Sequence, residues 1–169
     1  IIESVIKVEK TSSTEINFLS VGDFHNETKN FSGLLHAFKV VNEKNPNTRL
    51  TLVGGGPDYD RMLSLATDLN IPEKAVNFTN RQNHEFVLNA MHNCDIYVCN
   101  SRFETFGMTV AEALLCGKPV ISTKCGGPEE FLSEKNSILI EPSPAQNESE
   151  HQELADAMRK MLTQYQDFD

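Results

Sequence analysis

Residues Cys94 to Cys116 read CDIYVCNSRFETFGMTVAEALLC, and the way this stretch divides sets the fold. Cys94 to Asn100 is a short apolar run rich in β-formers. Met108 to Cys116 carries Ala, Glu and Leu with no internal breaker, so the order is strand, loop, helix. Glu104 then falls in the loop at the strand's carboxyl end, and Gly107 falls where the helix begins. The first backbone N–H groups of a helix have no intrahelical partner. Those around Phe106, Gly107 and Met108 are therefore open to an anion such as a phosphate, and the missing side chain at Gly107 leaves the approach clear. Glu112 lies about one turn into the helix, where side chains lean back toward the N-terminus, so both carboxylates can reach one ligand. They would repel a phosphate, and their chemistry suits the hydroxyls of a sugar or ribose. Taken singly, Glu104 reads equally well as a solvated loop acid and Glu112 as a first-turn acid favoured by the helix dipole.

The same alternation extends on both sides. Ile16 to Val21, Arg49 to Val53, Ala75 to Thr79, Pro119 to Thr123 and Ser137 to Ile140 are short apolar runs expected as strands. Between them Phe31, Leu34, Leu35, Phe38 and Val41 recur at helical spacing. So do Tyr59, Met62, Leu63, Ala66 and Leu69, then Phe86, Val87, Ala90 and Met91 behind a cap at Asn83. A last helix carries Leu154, Met158, Met161, Leu162 and Tyr165 on one stripe. Strands alternating with helices predict an α/β, Rossmann-like, doubly wound parallel sheet of about six strands with helices on both faces. Ligands of such sheets bind outside the carboxyl ends of the strands, where the loops Gly22 to Asn30, Gly54 to Pro57 and Ser101 to Gly107 are expected. The GGGP run at 54–57 lacks the spacing of a dinucleotide fingerprint or a P-loop and reads first as a turn.

Composition narrows the function classes. With 169 residues and 39% hydrophobic content the chain can bury one core, read as a single domain over 16–169 behind a linker at 1–15. The formal charge of −9 argues against nucleic acid, whose binding needs a long basic face, while a small phosphorylated ligand needs only one local positive site. Cys94, Cys99, Cys116 and Cys125 form no CxxC pair, which argues against zinc, and the first three read as buried thiols in a reducing compartment. No run is long and apolar enough to cross a membrane. The chain begins at Ile1 and reads as a piece of a longer protein. The sequons at Asn26, Asn30, Asn77 and Asn147 carry no weight for a cytosolic chain. His25, His36, His84, His92 and His151 are scattered without an evident catalytic or metal partner.

These motifs, in this order, resemble the C-terminal, donor-binding domain of retaining GT-B glycosyltransferases of the large family 4 group. The likeness runs from about Phe18 to the last helix. Glu104 and Glu112 occupy the ends of the family's Glu, seven residues, Glu motif, SRFETFG stands where the family often has SRxEGFG, and ALLCGKPVISTKCGGPEEFL resembles the segment that follows. The resemblance implies that Glu104 binds the transferred sugar and Glu112 the nucleotide ribose. It also implies that the amides of Phe106, Gly107 and Met108 hold the diphosphate or sugar. Gly22 and Asp23 open the donor-binding loop, and Lys29 matches a lysine that grips the diphosphate. Asp23 departs from the pattern by standing where the family usually has an arginine. Arg102, Lys118 and Lys124 are cations that could compensate. Gly126, Gly127 and Pro128 match a loop near the nucleotide, though a tight turn accounts for them too. The donor implied is a nucleotide sugar such as a UDP- or GDP-sugar, with no metal or other cofactor. The acceptor is expected to be held by a missing N-terminal domain, through which any contact with the inner face of a membrane would also run. A cytoplasmic enzyme is implied, of which this chain is a half that binds donor and transfers nothing alone. Two other readings stay open: a sugar-nucleotide epimerase of related fold, and a non-catalytic nucleotide-binding module.

Overall fold

The computed structural model describes residues 14–143 and 150–168. The expected linker lies almost wholly outside the described residues. Six strands are present: β1 (Ile16–Val21), β2 (Thr48–Val53), β3 (Val76–Thr79), β4 (Ile96–Cys99), β5 (Val120–Thr123) and β6 (Ser137–Ile140). All neighbours pair in parallel, in the order β3-β2-β1-β4-β5-β6. Helices α1 (Asn26–Lys29), α2 (Phe31–Lys44), α3 (Tyr59–Asp68), α4 (His84–Asn93), α5 (Met108–Leu115) and α6 (Glu150–Gln164) connect and cover the strands. Chain order reverses between β1 and β4, which meet at Phe18 opposite Ile96 and Leu19 opposite Tyr97. Helix α2, in the connection that follows β1, packs on one face of the sheet and α5, which follows β4, on the other, so the connections part at this point, where sheets of this kind bind ligands in a crevice.

Side chains alternate across each strand, so the sheet feeds two cores. Phe18 of β1 and Ile96 and Val98 of β4 join Leu34, Phe38 and Met158 on one face. Leu19, Tyr97 and Cys99 join Met91, Val110 and Ala113 on the other. Phe18 and Phe38, both fully buried, meet edge to face at 6.3 Å. Truncating either to alanine would cost about 3–5 kcal/mol in lost burial and cavity formation. Two apolar positions break the expected pattern. Leu63 is 38% exposed because α3 presents Met62 and Ala66 to the core, and Phe86 is 39% exposed while Met91 carries the burial on α4.

Asparagines set the ends of the helices that matter for the crevice. Asn30 closes α1 and opens α2 in one left-handed residue (φ 50°), and its side chain accepts from the Gly33 amide at 3.2 Å. Asparagine tolerates that backbone region better than other non-glycine residues. Asn100, just beyond β4, donates to the Asn30 carbonyl at 3.0 Å and so joins the two loops that flank the switch point. Asn83 caps α4 by accepting from the Phe86 amide at 2.8 Å, as its placement before an apolar run predicts. Among the described residues no helix is long and apolar enough to cross a membrane.

Candidate functional site

The loop after β4 is held by backbone on both sides. The Glu104 amide donates to the Cys125 carbonyl at 2.8 Å, and the Glu104 carbonyl accepts from the Gly127 amide at 3.0 Å. This parallel bridge brings the loops after β4 and β5 so close that a Cβ on Gly127 would lie 2.4 Å from the Thr105 carbonyl oxygen and from Phe106 Cα. Gly126 and Gly127 therefore back the Glu104 loop, a role larger than the turn expected of them. Gly107 is the N-cap of α5 with φ 81°, and a Cβ there would meet Pro128 Cγ at 2.5 Å. Glycine is required at 107 by backbone and packing, whatever approaches the helix.

Val110 and Ala111 both donate to the Gly107 carbonyl, while the amides of Phe106, Gly107 and Met108 meet no acceptor among the described residues. The side chains of Phe106 and Met108 are 49% and 63% exposed, leaving the start of α5 open to solvent. A helix start with free N–H groups attracts negative charge.

Three side-chain pairs lie on the loops and helices at this end of the sheet. Lys29 at the end of α1 places Nζ 2.5 Å from Glu104 Oε1, which also accepts from the Ser101 hydroxyl at 2.7 Å. Both partners are mostly covered, at 25% and 16% exposure. Glu112, in the second turn of α5, has Oε1 2.8 Å from Nε2 of His84, the first residue of α4. Asp23, next to Gly22 at the end of β1, accepts from Arg81 Nη2 at 2.9 Å. The fold thus brings Lys29 directly to Glu104, sets Glu112 on the helix whose start Phe106, Gly107 and Met108 form, and places Gly22 and Asp23 on the neighbouring loop.

Residues 2–167 match the family Glycosyl transferases group 1. The chain belongs to this family.

Within it, the N-acetyl-alpha-D-glucosaminyl L-malate synthase of Bacillus anthracis is 32% identical over 122 residues, covering 72% of this chain and 30% of that protein. The chain therefore spans under a third of that relative's length. Among solved structures, HepE of Anabaena in complex with UDP-glucose superposes with a TM-score of 0.77 at 25% identity, over 91% of this chain and 41% of that one. The C-terminal domain of a group 1 glycosyl transferase, LpcC of Francisella tularensis, shares the fold with a TM-score of 0.72 at 24% identity, over 87% of this chain and 75% of that one.

Several details of this group 1 glycosyl transferase chain depart from expectation. The cations proposed to stand in beside Asp23 are occupied elsewhere. Arg102 donates to the carbonyls of Asn26, Glu27 and Ser143 at 2.9, 2.8 and 3.2 Å. Lys118 donates to the His92 carbonyl at 2.9 Å, and Lys124 pairs with Glu141. Arg81 is the cation at Asp23, and His84 has a carboxylate partner where none was expected. Their signal in the sequence is indirect: the Asn83 cap fixes where α4 starts, and hence places His84 in its first turn.

The thiols differ as well. Cys94, Cys99 and Cys125 are buried, while Cys116 is only half-buried, with its Sγ 3.7 Å from His92 Nε2. A hydrogen bond from Cys125 holds the Cys99 thiol down to about 7 and Cys125 correspondingly above the ordinary range. Cys99 also reaches Ser101 Oγ at 3.6 Å, so this pair lies directly beneath the Ser101–Glu104 contact. Burial pushes the Tyr97 hydroxyl far up; it donates to the Val21 carbonyl at 3.3 Å and also bonds Thr109, tying the end of β1 to the start of α5. Among the described residues no three His, Cys, Asp or Glu side chains gather as a metal site would require.

Proposed function

We propose that this chain is the donor-binding half of a retaining glycosyltransferase that uses a nucleoside diphosphate sugar such as a UDP- or GDP-sugar. One observation carries the reading. Glu104 and Glu112 stand before and after a helix start whose amides meet no acceptor among the described residues, so acceptors for hydroxyls and donors for an anion lie together at the carboxyl end of the sheet. Glu104 accepts from hydroxyls of the sugar and Glu112 from those of the ribose. The amides of Phe106, Gly107 and Met108, with Lys29, take the diphosphate. As the bond to the sugar breaks, negative charge grows on the leaving diphosphate. Fixed N–H donors and a nearby ammonium stabilise that charge without having to reorient. The leaving phosphate assists deprotonation of the acceptor on the face from which it departs, so configuration is kept. The reading assigns no step to a metal ion.

In this reading a further part of the full protein holds the acceptor and completes the cleft, the enzyme works on the cytoplasmic side, and any membrane contact is made by that other part. UDP-glucose bound to the similar HepE fold supports a nucleotide sugar as ligand. The test is calorimetry on the 169-residue chain with UDP, GDP, ADP and their sugars, beside Glu112→Ala. Weak binding of one nucleotide series by the parent, lost in the variant, is expected, with no sugar transfer. Absence of binding throughout, equal binding by the variant, or efficient transfer by this chain alone would each refute the reading.

A further inference from the structure

A second cation reaches the crevice from β3. At the carboxyl ends of β1, β2 and β3 lies a hollow of about 270 Å³ bordered by Val21, Gly22, Asp23, Gly54, Arg81 and Val87. Among the described residues Arg81 is its one cationic wall residue and Asp23 its one anionic one. Backbone packing forms the floor. The Gly22 amide donates to the Val53 carbonyl at 3.0 Å and Gly54 to that of Thr79 at 3.1 Å, and a Cβ on Gly54 would lie 1.9 Å from the Gly22 carbonyl oxygen. The hollow adjoins the Lys29–Glu104 pair, because a Cβ on Gly22 would make ordinary contact with Lys29 Cδ and Cε at 3.8 Å.

The two ion pairs here are built differently. Lys29 and Glu104 are mostly covered and share a third partner in Ser101, whereas Arg81 and Asp23 are 72% and 60% exposed. Exposed pairs contribute little net stability, so their partners exchange readily. Only one guanidinium nitrogen of Arg81 is engaged by a side chain among the described residues, which leaves most of its fork of five N–H donors for two oxygens of one phosphate. Charge makes the same demand. Asp23, Glu104 and Glu112 set three carboxylates around the crevice against Lys29 and Arg81. A diphosphate entering with Lys29 alone would meet a net repulsive field.

We propose that Arg81 is a diphosphate-binding residue of the donor site, held ready by Asp23 and released from it when a phosphate takes the guanidinium fork. This rests on the donor-binding reading above. Lys29 and the α5 amides engage one side of the diphosphate, and Arg81 reaches the other from across Gly22. Bidentate, charge-assisted N–H···O bonds between guanidinium and phosphate replace the single bond to Asp23. Arg81 thereby meets the phosphates and not the base.

Calorimetry with UDP, UMP and uridine, and with GDP, GMP and guanosine, at two salt concentrations would test this on the parent chain, Arg81→Gln and Arg81→Lys. Arg81→Gln is expected to weaken the diphosphate about tenfold, as loss of a charged hydrogen bond does, and to leave nucleoside affinity unchanged. It should also flatten the salt dependence of diphosphate binding, with Arg81→Lys recovering part of the loss. An unchanged melting temperature would show that the exposed substitution leaves the fold intact. Diphosphate affinity that survives Arg81→Gln, or an equal loss for diphosphate and nucleoside, would overturn the assignment while leaving the donor-binding reading standing. If the parent binds none of the six ligands, both fall together.

Discussion

Nε2 of His84 and Oε1 of Glu112 stand 2.8 Å apart, joining the first turn of α4 to the second turn of α5 across one face of the sheet. The contact fixes one oxygen of Glu112 and leaves the other for a ligand. If that ligand is a ribose, Glu112→Ala removes the parent's preference for a nucleotide over its 2′,3′-dideoxy analogue. Affinity for the ribonucleotide should fall by roughly 10-fold or more, as expected for a hydroxyl bonded to a carboxylate. The dideoxy analogue should bind parent and variant alike. His84→Ala, which only frees the carboxylate to rotate, should cost a smaller factor of about 3 in ribonucleotide affinity. Titrations with both nucleotides on the three proteins separate these roles, and a variant that still prefers the ribonucleotide would remove Glu112 from the ribose.

Gly127→Ala should destabilise the chain far more than Gly117→Ala. A Cβ at 127 meets the backbone of Thr105 and Phe106 at 2.4 Å, so the Glu104 loop must shift, at a cost of about 2–3 kcal/mol. At Gly117 nothing lies within 4 Å, and the only cost is the left-handed backbone at φ 68°, about 1 kcal/mol. Urea unfolding of the two variants compares them. Equal losses would mean that the loop yields easily and that the bridge between Glu104 and Gly126 is weak.

Tyr97 should not ionise in the folded chain within the ordinary tyrosine range. Its hydroxyl is buried and bonded, so its folded pKa lies above its unfolded value near 10. The stability this contributes is complete below the unfolded pKa and is lost as pH rises beyond it, because only the unfolded chain releases the proton. Comparing absorbance at 295 nm between the parent and Tyr97→Phe should show the Tyr97 phenolate arriving only as the protein unfolds. A Tyr97 phenolate in a still-folded chain would contradict its burial.

Local signals made much of this fold readable. Ile16–Val21 and Ser137–Ile140 match their strands end to end, because each is an apolar run bounded by a helix breaker or polar residues. The strand, loop and helix around Glu104 followed from composition alone. What escaped were meetings between distant segments. Arg81 finds Asp23 across 58 positions and His84 finds Glu112 across 28, and neither pairing has a spacing that a single sequence displays. The outward turn of Leu63 escaped for a related reason: a helix face is apolar by pattern, but which part of it touches the sheet depends on neighbouring helices. Cys116 behaves likewise, since its position at the end of α5 leaves it partly outside the core.

The clamp on the Glu104 loop has a thermodynamic side. Its backbone is bridged to Cys125 and Gly127, the Ser101 carbonyl accepts from Thr123, and Asn100 is tied to Asn30. Little conformational freedom is left in this segment for a ligand to remove. The entropy of ordering it is lost when the chain folds, so contacts made later at Glu104 translate more fully into affinity than they would on a slack loop. Slackening this segment should accordingly appear as weaker and more entropically opposed binding even where every contacting side chain is retained.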